Sequence, residues 1–252
     1  MNWQLRLHGV GNASAVELGS AMATIEHHGT PWLTIDCGGE GLTAYLAHYG
    51  EPPRALFITH THLDHVAGFE RLFVASYFDP TRRGRVRLYV PATVVPWLHQ
   101  RVGDYPNALA EGGVNFWDAF QVIPVGASFW HEGVRLEVFP TRHHWPETAY
   151  GLRLHGSAVW TGDTRPIPEM LARFADAGEL VAHDCALHGN PSHSGIEDLE
   201  REYPRELLDR CLLYHYGNRE EGEILAARGY RVAHPGEVVV LNEPTAPRSE
   251  PV

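Results

Sequence analysis

The sequence predicts one large α/β domain, on three observations. Apolar runs of strand length alternate along the chain with segments of helical period. Its 252 residues (28.1 kDa) suffice for a sizeable core and are short for two. A dense cluster, His60-Thr61-His62-Leu63-Asp64-His65, directly follows the apolar run Ala55-Leu56-Phe57-Ile58, as a metal site at the end of a buried strand would.

Residues 3–8 alternate enough for a first strand, and Gly9-Val10-Gly11-Asn12-Ala13 reads as a tight turn. A phosphate-binding loop would need the Lys of a P-loop or GxGxxG spacing, and neither is there. Residues 21–26 and 32–35 predict a hairpin around His28-Gly29-Thr30-Pro31, closed by Asp36-Cys37-Gly38-Gly39. Residues 41–49 carry a helix pattern that Gly50-Glu51-Pro52-Pro53 ends. After strand 55–58 come helix 65–76, strand 86–90 and, beyond Pro91, helix 92–101. The irregular stretch 104–120, rich in Gly, Asn and aromatics, is placed over the site. Trp117, Phe120, Phe129 and Trp130 are read as core. Strands 121–125 and 134–139 follow, then a hairpin of 150–154 with 158–160. Helix 166–177, strand 179–182, helix 196–202, strand 212–217, helix 219–228 and strand 238–241 complete the pattern. The domain is bounded at 1–241, and the tail 242–252, with Pro244, Pro247 and Pro251, is expected to be disordered.

Composition excludes several function classes. The formal charge of −11 opposes tight binding to long nucleic acids, whose binders neutralise phosphates with Lys and Arg. Arg82-Arg83-Gly84-Arg85 is the one local basic patch noted. Cys37, Cys185 and Cys211 lack CxxC spacing, so neither a disulfide framework nor a zinc finger is indicated. No apolar run approaches the roughly 18 residues of a membrane span, and the first residues are not a secretory signal, so the expected location is cytoplasmic, with no membrane partner. The chain is compatible with a homodimer without arguing for one. Of 17 histidines, His8, His27, His28, His48, His99, His131, His155 and His234 have no matching partner nearby and are given no site role.

The chemistry of the cluster follows from its spacing. His60 and His62, two apart in an extended turn, can point the same way and grip one cation through neutral ring nitrogens. Asp64 and His65 fall where a helix begins and aim at a neighbouring point, so two adjacent cations are expected. Thr59-His60-Thr61-His62-Leu63-Asp64-His65 resembles the signature of the metallo-β-lactamase superfamily. That resemblance implies a four-layer αββα sandwich and a second set of ligands: a third His, a bridging Asp and a last His. Pro140-Thr141-Arg142-His143-His144-Trp145-Pro146 offers the third His; His143 is taken because it comes first after the strand, with His144 as the alternative. Asp163, in Thr161-Gly162-Asp163-Thr164, matches the bridging Asp, and His215, after a buried strand, matches the last His. Asp36 matches an Asp that supports a ligand His. The implied metal ligands are thus His60, His62, Asp64, His65, His143, Asp163 and His215, holding two divalent ions, zinc with manganese or iron as alternatives. Two such ions, two carboxylates and a bridging hydroxide leave about +1, which favours a small anionic substrate.

His193 directs the choice of branch. Pro191-Ser192-His193-Ser194 resembles the HS or HST element of the branch holding tRNA 3′-processing endonucleases and small phosphodiesterases, where its His assists the leaving oxygen. A phosphodiester has a poor leaving alkoxide, and an imidazole can supply the proton. Asp64 and His193 are therefore the catalytic candidates. Endonucleases of that branch carry a long tRNA-gripping arm, often between the third His and the bridging Asp, but only twenty positions separate His143 from Asp163. The expected activity is a phosphodiesterase acting on a small phosphodiester or cyclic phosphate through a metal-bridging hydroxide. Hydrolysis of a lactone, thioester or β-lactam is the alternative on the same metals, and a mononuclear iron persulfide dioxygenase is a further one. A di-iron reductase fits less well, since His62 stands where those proteins have Glu. A binding module that merely keeps the fold would have decayed ligands, whereas all seven are present.

Overall fold

Two seven-stranded sheets, each half antiparallel and half parallel, face one another across the main core. The computed structural model describes residues 3–103, 113 and 115–246. In the first sheet the antiparallel strands β1 (Trp3–Gly9), β2 (Met22–His27) and β3 (Thr30–Ile35) are followed by the parallel strands β4 (Ala55–Phe57), β5 (Val86–Pro91) and β6 (Phe120–Val125), with β14 (Val238–Val240) beside β1. The second sheet repeats the plan: β7 (Ser128–His131), β8 (Val134–Pro140) and β9 (Tyr150–Leu154) are antiparallel to one another and β9 to β10 (Ala158–Trp160). From β10 on, β11 (Leu180–Asp184), β12 (Cys211–Tyr214) and β13 (Arg231–Val232) run parallel.

Helices α1 (Gly39–Tyr49) and α3 (Phe69–Tyr77) cover the outer face of the first sheet through Leu42, Tyr45, Phe69, Leu72 and Phe73. Helices α5 (Pro168–Phe174), α6 (Ile196–Glu202), α7 (Arg205–Leu208) and α8 (Arg219–Ala227) cover the second through Leu171, Leu199, Leu207 and Leu225. The result is the expected αββα sandwich. In β4 both faces are covered, so Leu56, Phe57 and the following Ile58 are all fully buried. Each such side chain contributes roughly 1.5–3 kcal/mol through apolar surface removed from water.

The expected helix 65–76 is two pieces, α2 (Leu63–Val66) and α3, because the chain docks onto the turn after β3. Cys37 N–H donates to the His65 carbonyl and Gly68 N–H to the Cys37 carbonyl, and a Cβ on Gly68 would come within 2.8 Å of that oxygen. The expected helix 92–101 is α4 (Val95–Leu98) running into one π turn, His99–Gly103. Helix 166–177 is shorter than expected, since Pro168 starts α5 and Ala175 leaves helical geometry. Trp130, read as core, is 65% exposed because β7 alternates and turns it outward; Phe120 and Phe129 are buried. Arg82 is no free patch residue: it is buried against the Pro52 and Pro53 carbonyls and Glu51. Most of 104–120 lies outside the described residues, as does 247–252. The start of the expected tail is in place, with Asn242 Nδ2 donating to the Gly178 carbonyl and Thr245 N–H to that of His155. No helix among the described residues is long and apolar enough to cross a membrane.

His8 shows how this fold handles a buried base. Its Nε2 meets Thr24 Oγ1 at 2.9 Å between β1 and β2. Burial pushes its pKa down to about 3, with Arg6 and His48 adding like charge. A neutral His in the fold and an ordinary one in the unfolded chain mean stability is whole above about pH 6.5 and falls as pH drops toward the folded value. Between pH 7 and pH 5, urea unfolding should lose about 2 kcal/mol more in the wild type than in His8→Gln. Equal losses would show that His8 is not neutral in the fold.

Candidate metal centre

The site lies where the parallel strands of both sheets end. His60 and His62 follow β4, His143 follows β8, Asp163 follows β10, Asp184 closes β11 and His215 follows β12. Backbone geometry fixes several of these positions. Asp36 and His215 adopt left-handed φ values of 64° and 71°, each costing on the order of 1–3 kcal/mol that the surrounding bonds must offset. Gly162, at φ 65°, brings Asp163 past β9, where a Cβ would lie 2.8 Å from the Tyr150 carbonyl.

The predicted ligands fall into two adjoining groups. His60, His62, His143 and His144 each bring a ring nitrogen within 4.8 Å of the others, and so do the ligand atoms of Asp64, His65, Asp163 and His215. Asp163 Oδ2 stands between the groups, 3.2 Å from His65 Nε2 and His215 Nε2, 3.6 Å from His60 Nε2 and 3.8 Å from His143 Nε2. Asp64 Oδ2 is 3.5 Å from both His65 Nε2 and His215 Nε2. The two adjacent histidines differ. His143 is buried, with Nδ1 held by the Ser192 carbonyl and Nε2 3.0 Å from His62 Nδ1, whereas His144 is exposed and its Nδ1 is engaged by Thr148.

The donor set fits divalent cations. Asp163 Oδ1 and Oδ2 and the Nε2 atoms of His60, His65 and His215 are buried, converge on one place and make no hydrogen bond among the described residues. Leaving five such atoms unpaired would cost several kcal/mol unless something else satisfies them, and nitrogen and carboxylate ligands suit a metal ion. The charge pattern agrees. Burial and neighbouring rings hold His60 well below its ordinary pKa, and burial lowers His62, His143 and His144, so the first group is ready to ligate as neutral imidazole. Burial opposes charge on His65 and His215 too, but Asp163 with Asp36 raises His65 well above the usual range, and Asp163 with Asp184 lifts His215 to about 10. A bound cation would take the place of those protons.

Two carboxylates set the orientation of the rings. Asp36 accepts from His65 Nδ1 at 2.8 Å and from Thr59 N–H at 2.8 Å, with Thr59 Oγ1 also bonded to it and 3.0 Å from His60 Nδ1. Asp184 accepts from His193 Nδ1 at 2.8 Å and from Thr164 N–H at 2.8 Å, and its other oxygen lies 3.4 Å from His215 Nδ1. Sequence reasoning passed over Asp184; the available signal was an Asp closing an apolar strand one short loop before His193. The His193 ring stacks on His215 with centroids 4.8 Å apart, and lines a cleft of about 230 Å³ together with His62, Asp64, Asp163 and His215. None of the eight histidines set aside joins either group.

Comparison with known proteins bears on the family and the fold. A family model described as "Anti-Pycsar protein Apyc1" matches residues 3–239. The anti-Pycsar protein Apyc1 of Bacillus phage BSP38 is 27% identical over 265 residues, spanning 94% of this chain and 98% of that one. Among solved structures, the metallo-β-lactamase fold protein YhfI of Bacillus subtilis superimposes with a TM-score of 0.71 at 15% identity, over 94% of this chain and 99% of that one. A diphosphatase of the PhnP family gives 0.75 at 17%, over 97% and 100%. The short form of human tRNase Z gives 0.67 at 16%, over 95% and 100%. The fold is therefore that of the metallo-β-lactamase proteins.

Proposed function

This chain belongs to the Apyc1 family of anti-Pycsar proteins, and from that premise we propose that it is a metal-dependent phosphodiesterase acting on a small phosphodiester or cyclic phosphate. The observation that carries the reading is His193: Asp184 takes its Nδ1, and the ring lines the cleft beside the predicted ligands. A group placed so can hand a proton to a departing alkoxide, as cleavage of an alkyl phosphodiester needs.

In this reading His60, His62 and His143 would hold one divalent ion and Asp64, His65 and His215 a second, with Asp163 placed to serve both and zinc as the first choice. Such ions, when bound, supply hydroxide at neutral pH and stabilise negative charge as it develops. Asp36 and Asp184 fix the rings of His65, His193 and His215, so that ligands and acid keep their geometry through turnover. The −11 charge and the short span from His143 to Asp163 favour a small anionic substrate over a long nucleic acid. A fold shared with a diphosphatase supports phosphoester chemistry by analogy.

Elemental analysis of the purified protein, beside hydrolysis of nucleoside cyclic phosphates, a lactone and a thioester, tests this. About two zinc or manganese ions per chain, with cleavage only of the phosphodiesters and its loss on chelation, is the expected result. One iron per chain without phosphodiester cleavage would overturn the reading.

A further inference from the structure

Two asparagines border the cleft beside the predicted ligands. Asn12 lies on the glycine turn after β1, and Asn190 on the loop that carries His193; both line the 230 Å³ cleft with His193 and His215. The glycine turn is held to the site by main chain: His215 N–H donates to the Val10 carbonyl at 2.6 Å and Asn12 N–H to the Tyr216 carbonyl at 3.3 Å. Its tightness needs glycine, for a Cβ on Gly9 would sit 2.2 Å from the Ser20 carbonyl and one on Gly11 2.7 Å from Ala15 Cβ.

Each asparagine spends its oxygen on its own loop. Asn12 Oδ1 accepts from Ser14 N–H at 3.0 Å and Ser14 Oγ at 2.8 Å. Asn190 Oδ1 accepts from Ser192 N–H at 2.8 Å and His193 N–H at 3.0 Å. These donors fix which atom of each carboxamide is oxygen, so the NH₂ is what remains. Among the described residues neither Nδ2 has a hydrogen-bond partner. Two N–H donor groups are thus left over beside the acid.

The side of the substrate they would meet follows from the second cleft. A neighbouring space of about 500 Å³ shares Ala13, His62 and Asp64 and carries Arg101 and Glu40, but not His193. A departing group must lie beside the acid that protonates it. The cleft of Asn12 and Asn190 is then the leaving-group side.

Resting on the phosphodiesterase reading, we propose that Asn12 and Asn190 are specificity-determining residues whose NH₂ groups bind oxygen acceptors of the departing group. The preferred substrate is then a phosphodiester whose leaving oxygen belongs to an acceptor-rich unit, as a sugar is, in preference to an aryl ester. Asp at either position keeps the turn-holding oxygen and removes the donor, whereas Ala removes both.

The test compares kcat/KM for a nucleoside cyclic phosphate with that for bis(p-nitrophenyl) phosphate in the wild type, Asn12→Asp, Asn12→Ala and Asn190→Asp, with metal content measured in each. The ratio should fall about tenfold in all three variants, through KM for the cyclic phosphate, the size of one lost hydrogen bond to a polar group. Rescue of the ratio by Asn12→Asp where Asn12→Ala fails would reduce Asn12 to a tether of its loop and overturn the proposal. An unchanged ratio in all variants would overturn it equally. A wild type that cleaves neither diester sinks the phosphodiesterase reading itself, and the inference with it.

Discussion

Asp163→Ala is expected to lower phosphodiester turnover by about three orders of magnitude or more and to release metal that the wild type retains through dialysis. The reason is its position. One carboxylate oxygen lies 3.2–3.8 Å from ring nitrogens of four histidines drawn from both groups, and neither carboxylate oxygen has a hydrogen bond among the described residues. Without it, Asp64 would be the one carboxylate left among the predicted ligands to face those four imidazoles. Loss of a residue that merely supports a ligand costs metal affinity roughly 10–100-fold. Loss of the carboxylate between the groups should cost more, and elemental analysis should find fewer metal ions per chain. Full retention of metal with turnover within tenfold of wild type would show that Asp163 does not bridge.

The features legible in the sequence were local ones. His60, His62, Asp64 and His65 could be placed because strand and helix periods say which way neighbouring side chains point, and the structure brings all four to one end of β4. Strand-length apolar runs gave most of both sheets. What escaped depends on partners distant in sequence. Strand β13 is two residues, Arg231 and Val232, and exists only because β12 lies beside it. The break at Gly68 depends on contact with Cys37. The glycine turn, read as a plain turn on its spacing, matters because Val10 and Asn12 bond to His215 and Tyr216, some two hundred residues away. Asp184 looked like the end of a strand; its meaning comes from parallel pairing with β12, which places it between His193 and His215.

His193→Ala should lower kcat about 10²–10⁴-fold on a diester with an alcohol leaving group while metal content stays at the wild-type level. His193 is suited to this separation of effects because it lies outside the predicted ligand set and its Nδ1 is held by Asp184, although a ring nitrogen comes within 4.8 Å of the ligand atoms of His143 and Asp163. Asp184→Asn would be less informative: Asp184 also meets Thr164 N–H and His215 Nδ1, so its loss would disturb a predicted ligand as well as the acid. The discriminating readout is the leaving group. p-Nitrophenolate departs without protonation, an alkoxide does not, so general acid catalysis predicts a much smaller loss on bis(p-nitrophenyl) phosphate than on the alcohol diester. A ring that only packs on His215, 4.8 Å away, would slow both substrates by the same factor. Equal losses would make His193 a positioning residue, and full activity on both would remove the observation that carries the phosphodiesterase reading.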